Sequence, residues 1–240
     1  MKHLVRAACV ATMLSSVVIL GGAGAATAAP LHDPYGFCNS HNQQGNCLYG
    51  AAGPARSIDV TIPADDPQEQ AIIDYVTRAV DNFNADATDM ESLGDSELPS
   101  TITVTSTDYA SGTPATGTQT VVVALDQMLR HAAHPAAWFQ AFSYNHATRS
   151  PITFDTLFRP GTAPLSVIVP IVEQQLSSTA GQPITLDSAT ATDPGYFQNF
   201  AVTDDAVIFF FGRGDIAPAF GATQVSVPRS AIADILSPGL

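Results

Sequence analysis

The chain has 240 residues, with 22 acidic against 9 basic side chains, a formal net charge of −13 and 45% hydrophobic residues. That excess of negative charge excludes nucleic acid and anionic membrane surfaces as partners by Coulomb repulsion and favours cationic proteins. The length suits one large domain or two closely packed ones with a substantial core.

Lys2 and Arg6 precede an apolar run from Ala7 to Leu20, and small residues follow to Ala26-Thr27-Ala28. This is the pattern of an export signal, with cleavage expected after Ala28. Cys9 follows Arg6-Ala7-Ala8 inside that run and is not read as a lipid attachment site. Cleavage removes Lys2 and Arg6, so 7 arginines remain against 22 acids, a net charge of −15. No later stretch approaches the roughly 20 apolar residues of a spanning helix. A soluble exported protein is expected.

Cys38 and Cys47 are the cysteines that remain, and in an oxidising compartment they are expected to pair and pin the polar segment between them. Residues 29–56 read as an irregular arm tied down by that bond. Ile58, Val60 and Ile62 alternate with Asp59 and Thr61, the period of a half-buried strand that Pro63 ends. Asp66-Pro67-Gln68-Glu69 supplies an N-cap acid, a proline at the first helical position and a capping-box glutamate. The helix after it carries Ile72, Tyr75, Val76, Ala79, Val80 and Phe83 on one stripe. Residues 84–100 read as a solvated acidic connection. Strands are predicted over 101–109 and 118–125, paired antiparallel across a Gly/Thr/Pro loop, and over 137–144. Residues 152–157 form a short strand or turn. A buried helix over 165–176 kinks or starts at Pro170, because proline removes a helical hydrogen bond. Residues 200–211 form a hairpin whose second strand, 207–211, is apolar on both faces and therefore central. A last strand over 223–227 leads through Pro228 to a terminal helix over 230–236.

Three blocks carry a resemblance: Ser150 to Gly161 (SPITFDTLFRPG), Asn199 to Pro218 (NFAVTDDAVIFFFGRGDIAP) and Thr223 to Leu236 (TQVSVPRSAIADIL). They resemble the C-terminal half of the secreted mycobacterial immunogenic protein family, major culture-filtrate antigens. That family shares its fold with the extracellular sensor domain of lysozyme-sensing anti-sigma factors. The resemblance implies an α+β fold, mainly antiparallel sheets packed with a few helices, in two similar-sized halves. The expected segments are a signal peptide over 1–28, the arm over 29–56, one half over 57–148 and a sensor-like domain over 149–240. The family's tight turn before the long apolar strand reads Asn-Asp-Gly, whereas Asp204, Asp205 and Ala206 stand here. A positive φ at Ala206 would cost on the order of 1 kcal/mol relative to glycine, so Ala206→Gly is expected to stabilise.

No Gly-x-Ser-x-Gly elbow is present, and no lysine comes after the signal, which removes the usual hydrolase turn and serine-lysine dyads. A non-standard triad would draw on Ser143, Ser150, Ser166 or Ser188 with His131, His134 or His146, and no spacing singles out one set. No catalytic residue is assigned. His131 and His134 sit three apart, but Pro135 argues against the helix that would join them on a metal. His32, Asp33 and His41 near the cysteines are unspecific, and the acids of 86–97 lack the spacing of an EF-hand loop. No metal or cofactor is predicted. Arg213-Gly214-Asp215 spells an integrin-recognition tripeptide at a turn and is a candidate binding element. The expected function is that of an exported, non-catalytic, antigen-like protein binding a macromolecular partner, either a host protein or a basic extracellular protein such as lysozyme. A cell-envelope serine esterase is the alternative, and a structural envelope protein the third.

Overall fold

The computed structural model describes residues 30–94, 98–216 and 220–240. The export signal and Cys9 lie outside the described residues, as do Asp95 and Glu97 of the acidic segment. The chain divides at Leu31, and its second unit, His32–Leu240, is compact. Every helix and strand among the described residues lies in the second.

This second unit is an α+β fold. Six strands form one sheet in sequential order: β1 (Cys47–Ala52), β2 (Arg56–Ile62), β3 (Ser100–Ser111), β4 (Thr118–Met128), β5 (Ala136–Asn145) and β6 (Ser150–Ile152). All neighbours are antiparallel except β2 and β3, which run parallel because α1 (Glu69–Glu91) crosses between them. The sheet continues past Arg149 through the pairing of β6 with β5. One face of the sheet, Ile58, Val60, Ile102, Val104, Val121, Val123 and Leu125, packs on Ile72, Ile73, Val76, Val80 and Phe83 of α1. The alternation and the helical stripe read from the sequence thus meet in one core.

In this sheet and its helix three segments depart from expectation. Residues 47–52 form a strand, paired from Cys47↔Ile62 to Ala52↔Ser57, where composition predicted an irregular arm. Gly50 and the small alanines hide the alternation, and edge pairing with β2 supplies the order instead. The helix α1 does not end at Phe83 but runs on to Glu91, so the acidic connection is half helix. Arg56 explains the extension: its guanidinium donates to Asn84 O and Oδ1 at 3.2 Å, to Thr88 Oγ1 at 3.1 Å and to Glu91 Oε1 at 2.7 Å. Fully buried Ala87 carries the apolar stripe one turn further. Asp66 is not the N-cap of α1, because Gln68 holds that position, and the Asp66 carboxylate instead accepts from Gln68 N at 2.7 Å.

The rest of the chain builds a second sheet, β7 (Phe200–Val202), β8 (Ala206–Phe211) and β9 (Thr223–Pro228), with β8 central as its all-apolar sequence predicts. Its core gathers Phe154, Phe158, Phe197, Phe200, Phe209 and Phe211 with the buried face of α3 (Leu165–Ala180). Before α3, α2 (Phe154–Leu157) is a single capped turn, and after it α4 (Ser188–Thr192) is another, capped by Asp187. The helix α3 does not start at Pro170, which sits inside it, and Gly181 ends it at φ +67°. The terminal helix α5 is shorter than predicted, Arg229–Ile232. Beyond it the backbone pairs with 157–159 instead, through Arg159 N to Ile235 O at 2.8 Å and Ser237 N to Leu157 O at 3.0 Å. Ala206 is not among the residues with positive φ; it is the first residue of β8, and the turn closes through Thr203 N to Ala206 O at 2.9 Å. The expected gain from Ala206→Gly therefore has no basis, and its sign reverses.

The two sheets meet through Val122, Ala201 and Phe210, with Tyr109 and Phe139 packed beside them. Buried Ser143 ties them with hydrogen bonds, donating to Phe200 O at 3.0 Å and pairing with Thr120 Oγ1 at 2.9 Å. Among the described residues no helix is long and apolar enough to cross a membrane.

Candidate functional site

The β3–β4 hairpin ends in a tip over 112–117, and Gly117 lies against the Ser111 carbonyl so closely that a Cβ would collide with it. This tight tip and the end of β5 enclose a pocket of about 350 Å³, lined by Asp108, Tyr109, Ser111, Thr118, Gln119 and His146 among others. Behind it runs a chain of side chains. The Asp66 carboxylate is buried and accepts from Gln119 Nε2 at 2.8 Å, and Gln119 Oε1 faces His146 Nε2 at 3.2 Å. With its amide nitrogen held on Asp66, Gln119 presents an acceptor, so His146 Nε2 carries the proton and Nδ1 is left as the basic nitrogen. The ring is also set edge-on against Tyr144, 5.4 Å between centroids.

Burial raises the Asp66 pKa; the Gln68 N–H opposes that rise, the Asp108 charge adds to it and His146 opposes it. Asp108 stands at the pocket rim, where the walls withdraw enough water to raise its pKa as well, and burial does the same for the neighbouring Tyr109 phenol. Ser111 and Thr118 share a hydrogen bond of 2.8 Å at the base of the hairpin tip. Asp204, from the β7–β8 turn, accepts from Gly112 N at 2.7 Å and brings a third carboxylate to the tip. The region is negative and rich in acceptors.

The residues singled out in the sequence do not come together as a hydrolytic centre. Ser143 Oγ is spent between the sheets, Ser150 Oγ pairs with Thr148 Oγ1 at 2.8 Å, and Ser166 Oγ donates to Ala163 O at 2.6 Å. Ser188 is exposed at the start of α4. His131 takes a positive φ in the β4–β5 turn, and His134 Nδ1 lies 3.1 Å from Pro135 O. Of the three histidines, His146 alone is oriented by a side-chain network, and its neighbours in the pocket are acids, amides and hydroxyls.

Cys38 and Cys47 form the expected disulfide. Around it Glu69 Oε1 lies 3.9 Å from Cys38 Sγ and His41 Nε2 3.9 Å from Cys47 Sγ, while Asp33 Oδ2 accepts from Cys38 N at 3.0 Å. Cys38, Cys47 and Glu69 are the one metal-sized cluster among the described residues, and the disulfide spends both sulfurs. His32 is bound through its backbone N–H to Gln70 Oε1 at 2.8 Å. Asp86 and Asp89 are exposed on α1, and Glu91 is the partner of Arg56. Arg213, Gly214 and Asp215 are all exposed, in a turn where Gly214 takes φ +80°. Asp215 folds its carboxylate back onto Gly212 N at 2.6 Å, so one oxygen of the tripeptide's acid serves the turn itself.

No functional signal for Asp66, Gln119 or Asp108 is legible in the sequence. Asp66 and Gln119 are 53 positions apart and meet through the sheet alone, so no local spacing marks them.

The model of a family described as protein of unknown function, DUF3298, matches residues 155–230. The chain is 42% identical to esterase Rv3036c of Mycobacterium tuberculosis over 224 residues, covering 93% of this chain and 96% of that protein. It is 38% identical over 226 residues to immunogenic protein MPB64 of Mycobacterium bovis and equally to immunogenic protein MPT64 of Mycobacterium tuberculosis, covering 94% of this chain and 97% of each. Among solved structures, a DUF3298 family protein of Pseudomonas aeruginosa superposes with a TM-score of 0.53 at 13% identity, over 81% of this chain and 94% of that one. Another, of Bacteroides fragilis, gives 0.51 at 11% identity, over 81% and 93%. These two share the fold.

Proposed function

The chain belongs to the family of the mycobacterial immunogenic proteins MPB64 and MPT64, and we propose that it is an exported, antigen-like protein that binds a cationic macromolecular partner. The observation that carries this reading is the acidic pocket at the β3–β4 tip, where Asp108 and Asp204 surround the Asp66–Gln119–His146 chain. No arginine lines that pocket, and the exported chain has no lysine to neutralise it. Ionised carboxylates with restricted water favour an incoming guanidinium or ammonium group, and the overall charge of −15 steers a basic protein toward it. The resemblance to lysozyme-sensing domains makes lysozyme the first basic protein to try. Titration at low and physiological salt is expected to show saturable binding that weakens as salt rises, and Asp108→Asn is expected to weaken it further. Lack of binding by the parent protein, or binding indifferent to salt, overturns the reading.

A second reading is ester hydrolysis, favoured by the relative named as an esterase and by the held imidazole of His146, whose Nδ1 is the basic nitrogen. Here His146 would activate a nucleophile and Gln119 with Asp66 would fix its tautomer. Turnover of a short-chain activated ester that His146→Gln abolishes supports this reading. Adduct formation with a fluorophosphonate, mapped by mass spectrometry, would name a serine nucleophile.

A further inference from the structure

At the other end of the same sheet, α1 and the β4–β5 pair enclose a second cleft of about 380 Å³, lined by Tyr75, Arg78, Asn82, Asp86, Gln127 and Trp138 together with Ala79. Gln119 and Gln127 are eight residues apart on β4, which at strand rise separates the two pockets by about 27 Å. From this cleft we propose a saccharide-binding site that takes a pyranose ring, independent of the partner-binding pocket.

The aromatic part comes first. Trp138 is the only tryptophan of the chain, and its Nε1 donates to Tyr75 OH at 3.0 Å. That bond spends the indole's one donor, so what Trp138 offers the cleft is ring surface. Tyr75 is half-buried, and burial raises its phenol pKa, so it is a neutral hydroxyl with its own proton left to donate. A pyranose carries C–H groups on one face and hydroxyls around its edge, which matches a flat apolar platform flanked by polar groups.

The polar part sits on one helix face. Tyr75, Arg78, Asn82 and Asp86 succeed one another at steps of three, four and four, the spacing that aligns side chains along α1. Gln127 faces them from β4. Among the described residues, Arg78, Asn82, Asp86 and Gln127 have no side-chain hydrogen bond or ion pair within the protein. A sugar hydroxyl both donates and accepts. This set supplies a carboxylate acceptor, a guanidinium donor and two amides that do both. Arg78 and Asp86 balance in charge, so the cleft favours a neutral ligand over an ion, in contrast to the acidic pocket at the β3–β4 tip. Its volume lies at the small end of the roughly 300–1,000 Å³ typical of ligand pockets, room for a short stretch of glycan.

The single tryptophan makes the test direct. Soluble tetrasaccharides of glucose and of N-acetylglucosamine are titrated into the purified protein while Trp138 emission is recorded. A saturable shift in emission is expected with at least one of them, insensitive to salt because the ligand is neutral. Asn82→Ala with Asp86→Ala, both exposed on α1 and clear of its core face, is expected to weaken binding about tenfold, the loss of one to two net hydrogen bonds, with the melting temperature unchanged. An emission unchanged to the solubility limit of both sugars overturns the proposal. So does binding that the double variant leaves intact, or that a basic protein reproduces in place of sugar.

Discussion

The sheet packed on α1 and the sheet packed on α3 are built from different side chains and hold different chemistry. The first core is mainly Ile and Val with Phe37 and Phe83 among them, whereas the second sets six phenylalanines among its Ile, Leu and Val. The difference extends to the ionisable groups. Those with raised pKa are Tyr35, Asp66, Glu69, Tyr75, Asp108 and Tyr109, all belonging to the first sheet, its helix or the arm beside them. The second sheet's region holds one shifted group, Asp187, lowered by the Thr190 backbone and side-chain hydrogen bonds in an exposed helix cap. Perturbed ionisable groups in clefts mark functional candidates, whereas a capping acid is structural. The half matched by the DUF3298 model contributes Asp204 to the acidic pocket and carries the Arg213-Gly214-Asp215 turn, whereas the remaining residues of both proposed sites lie on the first sheet, its hairpin tip and its helix.

The largest expected effect tests whether these regions are separate bodies. Phe209→Ala removes a fully buried ring from the second core and is expected to cost about 3–5 kcal/mol. Because Val122, Ala201 and Phe210 join the sheets and Ser143 bonds across them, thermal unfolding followed by Trp138 emission and by circular dichroism should fall together. Loss of structure while Trp138 keeps its midpoint would mean that the halves unfold independently. Next in size, replacing both Cys38 and Cys47 by serine opens a loop spanning nine positions and is expected to cost about 2–3 kcal/mol from loop-closure entropy. Denaturant unfolding measures it, and a cost near zero would show that β1 pairing alone holds the arm.

These elements also separate what the sequence disclosed from what it concealed. Strict alternation announced β2, the 3.6-residue stripe announced α1, and the doubly apolar run announced β8, since each pattern is a local record of which faces are buried. The strand β1 stayed hidden because Cys47-Leu48-Tyr49-Gly50-Ala51-Ala52 has no alternation and owes its order to pairing. The helix end at Glu91 depended on Arg56, 35 positions away. The same limit applied to the pocket: His146 was visible as a histidine, but only the sheet register brings Asp66 and Gln119 behind it. Similarly, the missing glycine at Ala206 suggested a strained turn, whereas the turn uses Thr203 and needs no positive φ there.

A smaller effect concerns pH. Asp66, Glu69 and Asp108 bind protons more tightly in the folded chain than in the unfolded one, so stability falls as pH rises through their folded values. The gain on acidification accrues below neutrality and is complete below the unfolded carboxylate pKa of about 4. Asp187 opposes it, since its stabilising contribution is lost at still lower pH. The denaturation midpoint is therefore expected to rise from neutral pH to about pH 5 before global acid effects intervene. A midpoint that falls over this range would contradict the burial assigned to Asp66. Smallest of all, Ala206→Gly is expected to lower stability by up to about 1 kcal/mol, through unfolded-state entropy in a strand residue that needs no positive φ. A raised midpoint would mean that the turn has the glycine geometry after all.

Whether recognition resides on the first sheet is decided by hydrogen exchange of the protein with and without a saturating basic protein such as lysozyme. Slowed exchange is expected at the β3–β4 tip, residues 108–119, at the Asp204 turn bonded to it and around His146, with residues 207–230 unchanged. Slowing confined to 207–230, or none anywhere, would rule it out.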